Sequence, residues 1–261
     1  MALITQARDL KRRKARERTG NFVAEGVRAV EELLRSPLEV HGALVTPQLA
    51  TTPRGMLLRE ALTARVATVT EVGDAEFATA ADTETPQGVL AIAAIPERTW
   101  DIVPSVDPLR VLVLDAVQDP GNVGTMLRTA AALGVAATVS LPGTVDLWNA
   151  KVVRSAMGAH FTHPAFATTW QELDAWRESR RVALWGADAR GVALEAKPAG
   201  LPPRLALIVG NEGAGLTPDA RDRMERPVAL PIADVESLNV AVAAGILLYA
   251  LRPDAAVRGG S

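Results

Sequence analysis

The chain has 261 residues, enough for one large domain or two smaller ones. Hydrophobic residues make up 48% and charged residues 22%, the ordinary range for a globular chain with a packed core. The formal net charge of −2 excludes a uniformly basic nucleic-acid binder, and the absence of cysteine excludes disulfides, thiolate nucleophiles and Cys-based zinc or iron–sulfur sites.

Residues 1–20 carry Arg8, Lys11, Arg12, Arg13, Lys14, Arg16 and Arg18 against Asp9 and Glu17, so seven positive charges less two negative leave a local +5. Their position behind a very short apolar stretch is wrong for an export signal. The segment reads either as a solvated helix or as an arm that contacts phosphates. Residues 21–95 read as a small α/β unit. "NFVAEG" and "VHGALVT" look like strands, and "VRAVEELLRS" places apolar residues at 27, 30, 33 and 34, a helical spacing. "ARVATVT" and "GVLAIAAI" read as strands again. Residues 96–108 contain Pro96, Pro104 and Pro108 without periodicity and read as a linker.

From 109 to 261 short apolar runs alternate with helical patterns. The expected strands are "VLVLDAV", "AATVSL", "RVALWGA", "LALIVG" and "PVALPI", and helices begin near 122, 146, 170, 217 and 237. This alternation predicts a parallel sheet flanked by helices, with ligands beyond the strand C-terminal ends. The apolar run 238–251 contains Asn239, falls short of the ~18 residues of a membrane span, and reads as a buried helix of a cytoplasmic protein. His160 and His163 lie three apart with no third ligand nearby, so they read as surface histidines and no metal is expected.

Three strand-end loops draw the polar residues together. In "DPGNVGTMLRTAAALG" the glycines at 121 and 124 do not meet the G-x-G-x-x-G fingerprint of dinucleotide binding, and no Walker pattern is present. Val123, Met126, Leu127, Ala130, Ala131 and Gly134 form the expected buried stripe. Arg128 falls off it, and Asn122 precedes the helix. In "GNEGAGLTPD" a carboxylate, Glu212, sits beside Asn211 in a glycine-rich loop, with Thr217 or Asp219 as a helix cap. In "LPIADVESLNVAVA" a cap by Ser237 leaves Asn239 unexplained, and a buried amide needs partners.

Together these stretches, with "LWNAKVVRSAMGAHF" at 147–161, resemble the SpoU (TrmH-type) family of RNA ribose 2′-O-methyltransferases of the SPOUT superfamily. Order and spacing agree over 111–252. Ala241 stands where many members carry Ser. The N-terminal "NFVAEGVRAVEELL" is similar to the family's small RNA-substrate-binding domain.

The resemblance implies an α/β fold: a parallel sheet flanked by helices with a C-terminal trefoil knot, preceded by a small ribosomal-protein-like α/β substrate-binding domain. It implies S-adenosylmethionine as cofactor, held at Gly210, Asn211, Leu230, Ile232 and Leu238, and a homodimer. Arg128 would face the ribose. Family accounts have it activate the 2′-hydroxyl; holding a phosphate and stabilising alkoxide charge is the easier role for a guanidinium. The general base stays open. Asn122, Glu212, Ser237 and Asn239 would position substrate and shape the loops, or Glu212 would orient Arg128. The implied RNA is ribosomal, most directly 23S ribosomal RNA, and the basic segment 1–20 then reads as an RNA contact. A transfer-RNA enzyme and a non-catalytic RNA binder are the alternatives.

Overall fold

The computed structural model describes residues 2–195, 198–234 and 237–252. The motif residues Val235 and Glu236 and the chain end 253–261 lie outside the described residues. Contacts divide the chain into two compact units, residues 1–97 with 146–162 and residues 98–145 with 163–261.

In the first unit α1 (Leu3–Asp9) and α2 (Arg13–Thr19) precede β1 (Asn21–Glu25), α3 (Val27–Arg35), β2 (Val40–Val45), α4 (Pro53–Arg65), β3 (Val69–Glu71), α5 (Asp74–Ala80) and β4 (Val89–Ala94). The sheet order is β1-β4-β2-β3, with β4 antiparallel to both its neighbours and β2 parallel to β3. Central β4 buries Val89 to Ala93, as its unbroken apolar sequence requires. The first 20 residues are not a loose arm. Helices α1 and α2 bury Ala7, Leu10 and Ala15. Arg16 is 3% exposed; its guanidinium meets the Asp146 carboxylate at 2.6 Å and the Leu10 carbonyl at 2.7 Å. One of the seven cations is therefore a packing element.

In chain order there follow β5 (Leu109–Leu114), α6 (Pro120–Ala132), β6 (Ala137–Ser140), α7 (Ala150–Ala156), α8 (Ala159–Thr162), β7 (Ala165–Ala167), α9 (Trp170–Arg180), β8 (Ala183–Ala193), β9 (Arg204–Val209), α10 (Pro218–Arg223), β10 (Arg226–Ala229) and α11 (Val240–Leu251). The second unit is a six-stranded sheet of order β10-β8-β9-β5-β6-β7, and every pairing is parallel. All six residues of β5 are buried, which is what a central parallel strand covered on both faces needs. Of residues 96–108, expected as a linker, 98–108 belong to this unit. Trp100 stacks on Trp176 with ring centroids 4.2 Å apart and meets Phe166 edge-on at 5.2 Å.

The segment 146–162 packs with the first unit. Trp148 and Phe161 lie against Phe22 at centroid distances of 4.5 and 5.7 Å. The histidines are buried, not on the surface: His160 packs beside Trp148, whereas His163 belongs to the second unit and its Nε2 meets Thr138 Oγ1 at 2.9 Å. Among the described residues no group of three His, Cys, Asp or Glu is placed to hold a metal ion. Among them, too, no helix is long and apolar enough to cross a membrane. Helix α11 is only half buried. Ala241, Ala244, Leu247, Leu248 and Leu251 face inward, while Val242, Ile246 and Tyr249 form an exposed stripe.

Candidate active site

The loops after β5, β9 and β10 converge beyond the carboxyl ends of the sheet, the crevice where open α/β sheets bind ligands. Their first tie is a clasp. Asp115, at the end of β5 and 1% exposed, accepts hydrogen bonds from Thr217 N at 2.7 Å and Thr217 Oγ1 at 3.1 Å. Burial pushes the Asp115 carboxyl up, against the pull of the two Thr217 donors. Thr217 also caps α10 by accepting from Ala220 N, so one hydroxyl starts a helix and closes a loop.

Asn211 is a second staple. Its Oδ1 accepts from Gly213 N and Ala214 N, both at 3.0 Å, and its Nδ2 donates to the Ala116 carbonyl at 3.0 Å. Ala116 is held at φ +55°, a left-handed conformation uncommon for a non-glycine residue. The Asn211 side chain is thus spent on the loop. Gly210 admits no side chain. A Cβ there would lie 2.4 Å from the Gly215 carbonyl group and 2.5 Å from Leu216 N, and all of these are backbone atoms.

A chain of polar side chains joins the three loops. Asn239 Nδ2 donates to Asn122 Oδ1 at 3.0 Å, and Asn122 Nδ2 donates to Glu212 Oε1 at 3.1 Å. Each end fixes the direction of the amides. Glu212 only accepts, and Asn239 Oδ1 accepts from Ala241 N and Val242 N as the N-cap of α11. The cap is therefore Asn239 itself, not Ser237. Asn122 lies within the first turn of α6 and not before it: Asp119 is that helix's N-cap and accepts from Asn122 N at 2.7 Å. Glu212 also accepts from Asp119 N at 3.1 Å and Gln118 N at 3.3 Å. Burial works against its charge, but its own N–H, Asn122 and these amides hold the carboxyl below the ordinary range. Asn122 is thus a side-chain donor to Glu212.

Beside this chain lies a shallow cleft open to solvent. Gly210, Asn211, Glu212, Leu230, Ile232, Ser237 and Leu238 all line it. Ile232 and Leu238 are each 37% exposed, apolar groups at its rim. The sequence reading missed Asp188, which also lines it. That side chain is 10% exposed and paired with Arg221 at 3.2 Å. Its signal, a carboxylate at the end of the apolar run "VALWGA", was visible. Arg128 is exposed on α6, off the buried face of Val123, Met126, Leu127 and Ala130. Gly134 is not part of that face; it is exposed at φ +71°, just past the helix end.

Residues 109–249 match the SpoU rRNA Methylase family, and residues 2–91 match the MRM3-like substrate binding domain. The 23S rRNA (guanosine(2553)-2′-O)-methyltransferase RlmP of Bacillus subtilis is 36% identical over 249 residues, 92% of each chain. The 23S rRNA (uridine(2479)-2′-O)-methyltransferase of Streptomyces viridochromogenes is 30% identical over 246 residues, covering 91% of this chain and 84% of that one. The crystal structure of the SpoU methyltransferase AviRb from Streptomyces viridochromogenes in complex with AdoMet superposes with a TM-score of 0.85 at 28% identity, over 96% of this chain and 97% of that one. The AdoMet-bound rRNA methyltransferase of Sinorhizobium meliloti gives 0.83 at 26% identity, over 96% and 94%. This chain belongs to the SpoU rRNA methylase family.

Proposed function

We propose that this protein transfers a methyl group from S-adenosylmethionine to a ribose 2′-hydroxyl of 23S ribosomal RNA. The observation that carries the reading is the junction of Asn122, Glu212 and Asn239 beside the 210–247 cleft, in a chain 36% identical to a 23S rRNA 2′-O-methyltransferase along 92% of its length. The cleft fits the cofactor: its walls are mainly apolar, and Gly210 keeps one of them free of side chain. Gly210, Asn211, Leu230, Ile232 and Leu238 would hold the cofactor. Bound S-adenosylmethionine supplies an electrophilic methyl on a sulfonium.

The transfer is an in-line displacement, and alignment of the attacking oxygen is the larger part of what a protein contributes. The Asn239–Asn122–Glu212 chain fixes the loops around that line. A guanidinium keeps its proton in proteins, so Arg128 acts through charge, holding the neighbouring phosphate and the developing alkoxide. Residues 1–20 add a basic surface for RNA: Lys14 and Arg18 are exposed on α2.

The active form in this reading is a homodimer, and the exposed Val242–Ile246–Tyr249 stripe supplies an apolar face for a second copy. A C-terminal trefoil knot, a cytoplasmic location and a catalytic region spanning 109–261 belong to the same reading. Its test is tritium transfer from labelled S-adenosylmethionine to deproteinised ribosomal RNA and, separately, to bulk transfer RNA, with the site located by stalled reverse transcription. Label at one ribose of 23S RNA supports the reading. Label in transfer RNA overturns the substrate, and label in neither, with the cofactor still bound, overturns the activity on free RNA.

A further inference from the structure

The first unit holds a cavity, open to solvent, that the methyl-transfer site does not use. Its walls come from three stretches: 25–29 at the β1–α3 turn, 83–87 before β4, and 154–157 at the end of α7. The first two lie within the residues matched to the substrate binding domain, the third within those matched to the methylase family. The cavity is therefore composite, and only the folded chain brings its sides together.

Its shape is held from beneath. Glu25 is 5% exposed, and its carboxylate accepts from Asp82 N at 2.6 Å, Thr83 N at 3.3 Å and the Thr83 hydroxyl. A buried carboxylate costs stability unless it is satisfied, and here its acceptors are spent on fixing a loop with no regular structure. At the lip, Gly26 adopts φ +95°, and Gln87 Oε1 accepts from Val27 N at 2.8 Å. The acceptor end of that amide is taken, so its NH2 end is what a ligand would meet. Arg154 is steadied at the rim by Asp82 at 3.1 Å, Arg28 is exposed, and Met157 adds apolar wall.

We propose that this cavity binds one unstacked nucleotide of the RNA. Met157 and Ala29 would take the face of the base. The Gln87 amide and the Thr85 hydroxyl would take polar groups of its edge, and Arg28 and Arg154 would take the adjoining phosphate. Splayed bases with exposed edges are how proteins read single-stranded RNA. A free anion needs the arginines but not the apolar wall or the amide. The inference rests on the reading of the partner as RNA.

Filter binding of end-labelled, deproteinised 23S ribosomal RNA tests it, across salt concentrations, with the full-length protein. Gln87→Glu keeps the acceptor for Val27 N and removes the donor; it should weaken binding at least about 5-fold, the lower end for one lost base contact. Arg28→Ala should weaken binding and lower the salt slope by about 0.7, the value for one contact to single-stranded RNA. Arg65→Ala, an exposed arginine of the same unit outside the cavity, should bind as the wild type does. Thermal midpoints and S-adenosylmethionine affinity should stay unchanged in all three. Equal binding by Gln87→Glu, Arg28→Ala and Arg65→Ala overturns the proposal, and so does a wild-type protein that does not bind this RNA. A wild type that binds RNA without transferring methyl overturns the proposed reaction and leaves the cavity's assignment standing.

Discussion

The polarity of the Asn239–Asn122–Glu212 chain makes a double substitution informative. Glu212 offers acceptors only, so Asn122 must turn Nδ2 toward it and Oδ1 toward Asn239. Asn239→Asp keeps an acceptor for Ala241 N and Val242 N but sets a carboxylate against Asn122 Oδ1. Whichever way Asn122 then turns, its Oδ1 faces an acceptor. The helix cap survives and the link between α6 and α11 is lost. Replacing one hydrogen bond by an apposed pair of acceptors at this partly solvated site should cost about 1–2 kcal/mol. Glu212→Gln loses charge-assisted bonds to the 118–119 amides and to Asn122, a cost of similar size. In the double variant Asn122 can turn over, giving Nδ2 to the new carboxylate at position 239 and Oδ1 to the new amide NH2 at position 212. Asp119 N is then the group left without its partner. The double variant should therefore be more stable than the sum of the singles by about 1 kcal/mol. Urea unfolding of the four proteins measures the coupling. Effects that add to within about 0.5 kcal/mol would refute the polarity argument.

Acid stability should depend on His163. Burial, reinforced by the Arg98 charge, lowers its pKa to about 4 from 6.5. The unfolded chain thus takes up the proton first on acidification. Stabilisation from the neutral ring is complete above pH 6.5 and lost as pH falls toward 4, by at most about 3 kcal/mol. Urea midpoints of His163→Gln should show a flatter dependence across that window than those of the wild type. Gly210→Ala forces backbone apart at 215–216, and calorimetry should find S-adenosylmethionine affinity reduced at least about 5-fold, from an overpacking cost of about 1–3 kcal/mol. Arg128→Ala should abolish methyl transfer in the tritium assay while calorimetry still finds the cofactor bound, because Arg128 does not line the cleft. Ile246→Glu puts a charge into the exposed α11 stripe, and light scattering should find a dimer for the wild type and a monomer for the variant.

The parallel sheet was legible because its five longer strands are apolar runs with helical periods between them. Strand β7 was not: three residues are too few to carry a pattern. Helix α4 was missed because Met56 and Leu57 are exposed and blur its stripe, and α5 because it buries only Phe77 and Ala80. Charge hid the core contacts of the first 20 residues. Arg16 looks like its neighbours and differs only through Asp146, a partner 130 positions away. At the site, residue identities were readable and their partners were not. Asn239 showed as an amide in need of bonds, but its pairing with Asn122 spans 117 positions. The left-handed Ala116 and the Asp115–Thr217 clasp are likewise tertiary facts that no local pattern announces.

Ribose 2′-O-methylation is most directly tested by nucleoside mass spectrometry. Deproteinised 23S ribosomal RNA, treated with the protein and S-adenosylmethionine, is digested to nucleosides and compared with RNA treated with Arg128→Ala. The account predicts a single 2′-O-methylnucleoside, stoichiometric with the RNA and absent from the variant's product. A methyl group found on a base, or equal 2′-O-methylation by Arg128→Ala, would contradict it.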